Sequence, residues 1–312
     1  CIRDRGYTLH TFTTTGASTL TLSTLSTTLS GAITGTGNLT TIATGGTIIL
    51  TGANTYVGTT NIPGGTVRVG AGGATGTLGA GAITNNGSLV FNRTGTLNLA
   101  GAITGTGSVE QAGSGTVVLE AAVSHTGGTT VSAGTLRVGA SGATGSLAGN
   151  VVNNATLVFD RSNALTFAGV ISGTGAVSQL GSGVLTLSGA NTYSGTTTIS
   201  AGTLRVGNGA TSGRLGTGAV VNNGILAFAR TDLVVVPGVI SGTGSVTSAG
   251  GSVALTGANT YSGGTTITGG TIGAYHNTAL GSGALTIGEA SLLVGRSVST
   301  LANAVTLAGA LT

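Results

Sequence analysis

The sequence predicts an all-β fold, a parallel β-helix or β-solenoid, and three observations carry that expectation. A 25-residue phrase is written four times: GTIILTGANTYVGTTNIPGGTVRVG from Gly46, GTVVLEAAVSHTGGTTVSAGTLRVG from Gly115, GVLTLSGANTYSGTTTISAGTLRVG from Gly183 and GSVALTGANTYSGGTTITGGTIGAY from Gly251. The copies align on Gly52, Ala121, Gly189 and Gly257, so the steps are 121 − 52 = 69, 189 − 121 = 68 and 257 − 189 = 68. Within each period the strand signals are only four or five residues long, with Gly, Asn, Ser and Thr between them. The composition is 39% hydrophobic but only 3% aromatic and 5% charged, with 61 glycines and no Trp or Met, so the interior must be narrow and filled by Val, Leu, Ile and Ala.

A tandem repeat of this kind is a unit that buries its apolar face against its neighbours. Two further phrases keep the period: AITNNGSLVFNR from Ala82, NVVNNATLVFDR from Asn150 and AVVNNGILAFAR from Ala219, and GAITGTG at Gly31 and Gly101, becoming GVISGTG at Gly169 and Gly238. In the third copy strands are expected near 155–159, 164–168, 176–179, 184–187, 196–199 and 203–206. Alternation places Leu185 and Leu187 on one face and Thr186 on the other, and turns Leu204 and Val206 inward with Arg205 outward. A β-helix coil takes roughly 20 to 25 residues, so one period holds about three coils and the chain about fourteen. Glycine belongs at the corners, where it supplies positive φ and lets coils approach. The domain expectation is a single solenoid over 1–312, with an irregular lead-in over 1–17 and repeats near 46–70, 115–139, 183–207 and 251–275. Because the last residues stop without a polar cap on the exposed strand edge, more coils are expected beyond Thr312.

Composition also excludes several classes. Low charge with abundant β-branched residues argues against a disordered chain. No apolar run reaches the roughly 18 residues of a spanning helix, the longest being broken by Pro237 and Gly238, so no membrane insertion of this segment is expected. The net charge of +4 rests on arginines without a cluster beyond Arg3 and Arg5, which excludes a nucleic-acid footprint. Cys1 is the only cysteine, so no intrachain disulfide can form. With no Met and no signal-like start, the chain reads as a processed product or a fragment of something longer.

The phrase from Gly183 resembles the autotransporter-associated β-strand repeat, also called the passenger-associated transport repeat, of type V secreted proteins. The resemblance implies a right-handed parallel β-helix exported through an outer-membrane β-barrel translocator, displayed on a Gram-negative surface or released, and acting in display, adhesion or self-association. Surface glycans or other copies of the same chain are the further partners expected. The second copy departs from the pattern, with Ala121-Ala122-Val123-Ser124-His125 where the others write GANTY.

Against that stands a carbohydrate-active β-helix enzyme, and a fibre without a specific ligand is a third reading. Polysaccharide-cleaving β-helices use clustered carboxylates, and this chain has six acids. Asp160 and Asp232 lie about three coils apart, too far for a glycosidase pair, while Glu110 and Glu120 could approach around a corner. No Asp-bearing calcium repeat is present, and Gly242-Thr243-Gly244 is a corner, not a phosphate cradle. The expectation is therefore no catalytic, cofactor or metal residues. Weak surface-contact candidates remain: Tyr56, Tyr193 and Tyr261 with His125 in the fourth place, and Arg68, Arg137 and Arg205, each read as a dotted line with members about three coils apart. Aromatic rows can stack on sugars, although a motif tyrosine can equally pack over a turn and bond locally. A second arginine set, Arg93, Arg161 and Arg230, falls on corners, and the Asn85-Asn86, Asn153-Asn154 and Asn222-Asn223 pairs read as turns.

Overall fold

A computed structural model describes residues 11–14, 18–22, 26–41, 45–296 and 298–308. Cys1, Arg3, Asp4, Arg5, His10 and much of the expected lead-in lie outside the described residues, as do the last four residues. The strands pair in parallel. The chain divides into two compact units, Cys1–Ala140 with Thr144–Leu157, and Ser141–Ala143 with Val158–Thr312.

In the first unit Thr11–Thr14, within the lead-in expected to be irregular, pairs with Ala32–Gly35 in a two-stranded sheet, and three longer sheets are built side by side as the chain coils. One holds Thr19–Leu22, Asn38–Thr41, Thr60–Ile62, Ile83–Asn85, Ile103–Thr104, Ala122–Val123 and Ser146–Leu147. The second stacks Ser26–Leu29, Thr47–Leu50, Thr66–Val69, Ser88–Phe91, Ser108–Gln111, Thr129–Val131 and Val151–Asn153. The third begins at Thr96–Leu99 and continues with Thr116–Leu119 and Thr135–Val138. Alternation puts Ile48, Val67, Leu89 and Val109 in register and buried, while Ile49, Arg68, Val90 and Glu110 face out. Burying each such aliphatic side chain stabilises the coil by about 1.5–3 kcal/mol.

The second unit repeats the plan. Ala176–Gln179, Thr197–Ile199, Val220–Asn222 and Ile240–Ser241 form one sheet, and Leu165–Phe167, Val184–Leu187, Thr203–Val206, Ile225–Phe228, Ser245–Leu255, Thr265–Ala274, Leu285–Ile287 and Val305–Leu307 form another. Leu233–Val236 pairs with Ser245–Leu255 and Ser291–Val294 with Thr265–Ala274. The strands expected in the third copy are found, each within one residue of its expected ends. Val151–Asn153 and the two-residue Ile171–Ser172 are additional.

Two strands are far longer than the expected four or five residues, at 11 and 10 residues for Ser245–Leu255 and Thr265–Ala274. The first of them crosses a corner position whose residue differs between the copies. Gln111 and Gln179 are buried there, and each donates from Nε2 to two corner carbonyls, of Gly113 and Gly115 and of Gly181 and Gly183. The next copy has Ser248, whose buried hydroxyl reaches no partner. There the strand runs through the corner, with register shifts at Ser248/Ala249 and Ala249/Ser252.

The register fixes the coil length. Val109 follows Ile48 by three coils, a step of 109 − 48 = 61, through Val67 and Leu89. In the second unit Val246 follows Leu185 by three coils and the same step, 246 − 185 = 61, through Leu204 and Leu226. One sequence repeat is thus three coils and about a third of another. Equivalent segments move on by one sheet: Thr60–Ile62 lies in the first sheet of the first unit and Thr129–Val131 in the second, while Thr66–Val69 lies in the second and Thr135–Val138 in the third. In the second unit Thr197–Ile199 and the start of Thr265–Ala274 likewise occupy different sheets.

Candidate functional site

The most repeated residues build a corner, and its chemistry is internal. Tyr56 is 1% exposed and Tyr193 and Tyr261 are 0% exposed. Their hydroxyls meet Thr60, Thr197 and Thr265 Oγ1 at 2.6, 2.7 and 2.6 Å. Burial disfavours the phenolate, so all three hydroxyls titrate above the ordinary tyrosine value, Tyr261 at about 12. Gly79 and Gly216 of the following coil lie flat on the rings of Tyr56 and Tyr193, with no room for a Cβ. The surface row expected of these tyrosines is corrected: their faces are covered by the next coil and offer nothing to a sugar. His125 is buried with them, at 1% exposure, its Nε2 3.0 Å from the Gly128 carbonyl oxygen and 3.2 Å from Thr129 Oγ1. Its pKa is lowered because burial disfavours the imidazolium.

The motif asparagine does what sequence reasoning missed. Asn54 Oδ1 accepts from the Ile33 amide of the preceding coil at 2.8 Å and its Nδ2 donates to the Thr77 carbonyl of the following one at 2.7 Å. Asn191 and Asn259 repeat the bridge to Ile171 and Arg214 and to Ile240 and Ala279. Each side chain replaces a missing rung of the backbone ladder. In the second copy Val123 stands at this place, and the rungs return as strand pairing of Val123 with Ile103 and Leu147. Asn85 and Asn222, expected in turns, are fully buried at strand ends and donate to Ser108 and Ser245 carbonyls of the next coil.

The arginine candidates do face outward. Arg68, Arg137 and Arg205 are half-buried on strands, opposite Val90, Val118 and Thr186 respectively. Arg68 and Arg137 belong to different sheets of the first unit, so the expected dotted line is not formed there.

The other arginine set anchors loops. Between Thr66–Val69 and Ile83–Asn85 the chain bulges, with residues 71–75 exposed, and positive φ at Gly70, Gly72 and Gly76 requires glycine there. Arg93 donates to the Gly76 and Ala74 carbonyls of that loop. In the second unit Arg230 holds the 207–213 loop through the Gly213 and Thr211 carbonyls and pairs with Asp232 at 2.6 Å, and Arg161 reaches the Ala143 carbonyl. Each loop displaces a ladder strand and leaves an open edge above it. Thr96–Leu99 ends its sheet, and Leu233–Val236 pairs with Ser245–Leu255 alone. Beside Leu233–Val236 lies a groove of about 400 Å³, lined among others by Thr211, Arg214, Arg230, Leu233 and Val235.

Catalytic chemistry finds little support. Glu110 sits on the second sheet of the first unit and accepts from Ser132 at 2.6 Å, whereas Glu120 follows a strand of the third. Asp160 is buried and accepts from Ser141. Among the described residues no three His, Cys, Asp or Glu side chains gather as a metal site.

The family model described as passenger-associated-transport-repeat matches residues 45–69, 109–138, 177–206 and 250–273. The chain is also similar to the protein named adhesin BmaC autotransporter of Brucella suis biovar 1 (strain 1330), 47% identical over 154 residues. That alignment takes in 43% of this chain and 4% of the adhesin's length. No solved structure matches.

Proposed function

We propose that this chain, which carries four passenger-associated transport repeats, is a segment of an autotransporter passenger: an exported β-solenoid stalk at a Gram-negative cell surface that serves adhesion rather than catalysis. The similarity to an autotransporter adhesin is the observation that carries the reading. An outer-membrane β-barrel translocator is the partner implied, and surface glycans, proteins or further copies of the chain are the adhesive ones. The corner chemistry favours a mechanical role, because the repeated Asn side chains are spent on joining coils and the Tyr and Gln side chains on holding the corners. Sequential stacking also suits vectorial export, since each coil completes the edge left by the last.

Beads coated with the purified chain should be retained on epithelial monolayers above albumin-coated beads. Equal retention would reduce the segment to a passive spacer. Release of reducing sugar from polysaccharides, lost in Glu110→Gln or Glu120→Gln, would instead establish an enzyme.

A further inference from the structure

We propose that the open edge of Leu233–Val236 is a docking site for an extended acidic polypeptide of a partner protein, which adds as a strand along the groove. The inference rests on the adhesive reading and names the class of partner. Asp232 and Val236 turn their carbonyls to the following strand, accepting from Ser252 and Thr256. In a parallel ladder alternate residues point their N–H and C=O groups to opposite sides. Leu233 and Val235 therefore aim theirs at the groove, where no backbone hydrogen bond to a described residue meets them. Their side chains are 58% and 46% exposed. An edge of this kind is normally blunted by charge, proline or cover.

Comparison with the equivalent edge of the first unit isolates what is special. One constant offset relates the two loops, 214 − 77 = 233 − 96 = 235 − 98 = 137, so Thr77, Thr96 and Asn98 correspond to Arg214, Leu233 and Val235. The first edge is polar; the second is aliphatic and gains a cation. Arg230 and Asp232 neutralise one another, and Arg230 is further engaged by loop carbonyls. Arg214 is exposed at the rim of the groove, and its guanidinium has no hydrogen-bond partner among the described residues. The site thus offers backbone donors and acceptors, two aliphatic side chains and one net positive charge. No aromatic side chain lines it to stack on a sugar ring. Strand addition uses such groups together: main-chain bonds give affinity, and alternate side chains give selectivity. Pro237, which has no N–H, ends the edge.

The test uses the full chain and a fluorescein-labelled decapeptide of alternating Glu and Val, with a Lys/Val peptide as the charge control. Saturable binding of the Glu/Val peptide is expected, about tenfold weaker for Arg214→Thr and for Leu233→Thr/Val235→Asn. These variants install residues that the first edge already carries, and circular dichroism checks that they fold. A Glu/Val peptide N-methylated at every residue should not bind, because strand addition needs its amides and methylation at alternate residues would leave one hydrogen-bonding edge intact. Equal binding by the variants, by the Lys/Val peptide or by the N-methylated peptide would overturn the proposal. Bead retention separates the two readings: retention kept by a variant combining all three substitutions sinks this site alone, whereas no retention by the parent chain sinks the adhesive reading.

Discussion

Asn191 donates from Nδ2 to the carbonyl oxygen of Arg214 at 2.8 Å, 23 residues on, while its Oδ1 accepts from the Ile171 amide 20 residues earlier. One buried side chain thereby joins three successive coils at a place where the loop interrupts the ladder. The carboxamide suits this because it carries a donor and an acceptor on opposite sides of one planar group.

Asn191→Ala should therefore destabilise the second unit by about 2–4 kcal/mol, since the Ile171 N–H and the Arg214 C=O lose their partner together. Asn191→Val should cost less, because Val123 shows that the ladder can close when an aliphatic residue takes this place. Urea midpoints of the two variants against the parent measure this. An Asn191→Ala midpoint equal to the parent's would mean that the bridge is dispensable.

His125 makes the first unit sensitive to acid. Its folded-state pKa is lowered by burial, so the unfolded chain binds the proton more readily. The stability from keeping it neutral is fully present above the unfolded value of about 6.5 and is lost as pH falls below that through the folded pKa. His125→Tyr restores the motif residue opposite Thr129 and should flatten the urea midpoint between about pH 7 and pH 5. A slope that survives the substitution would have to come from other groups.

The alternation of Leu185 with Leu187 and of Leu204 with Val206 and the positions of the glycine corners were legible in the sequence, because period-two burial and repeat spacing are local signals. The direction taken by the repeats was not. A coil length known only as roughly 20 to 25 residues cannot separate three coils from three and a third, yet that third moves Arg137 onto a different sheet from Arg68. The tyrosines misled for a related reason. Tyr56 lies outside any strand, so alternation does not place it, and Gly79, which covers it, comes a full coil later. Leu233 and Val235 fall in the longest apolar run of the sequence, and only the loop that removes the neighbour exposes their edge.

Arg230→Ala should loosen the 207–213 loop while leaving the core in place. The guanidinium holds the Gly213 and Thr211 carbonyls and the Asp232 carboxylate, and without it nothing else described fastens those two carbonyls. Tryptic cleavage after Arg214, followed by mass spectrometry, is expected to quicken by roughly three- to tenfold through local opening. The urea midpoint should move little, since a partly exposed ion pair contributes about 0–1 kcal/mol. Unchanged cleavage would show that the loop is held by its own backbone.

Two glycines in one loop region should respond in opposite ways to alanine, because different physics selects each. Gly209 has φ +90 and nothing within 4 Å of its absent Cβ, so Gly209→Ala meets only the backbone penalty of a left-handed residue, about 1–2 kcal/mol. Gly216 needs no unusual φ, but a Cβ there would sit 2.2 Å from the Tyr193 carbonyl oxygen and 2.5 Å from the ring Cδ2. Neither atom can withdraw, since the ring is fully buried and its hydroxyl is held by Thr197. Gly216→Ala must therefore push two coils apart, costing about 3 kcal/mol or more. Adding Tyr193→Ala to Gly216→Ala would remove the clash with the ring but not the one with the carbonyl oxygen, so the double variant should still be destabilised but lose less than the two single losses taken together. Strict additivity in that cycle would mean that the glycine and the ring do not compete for the same volume.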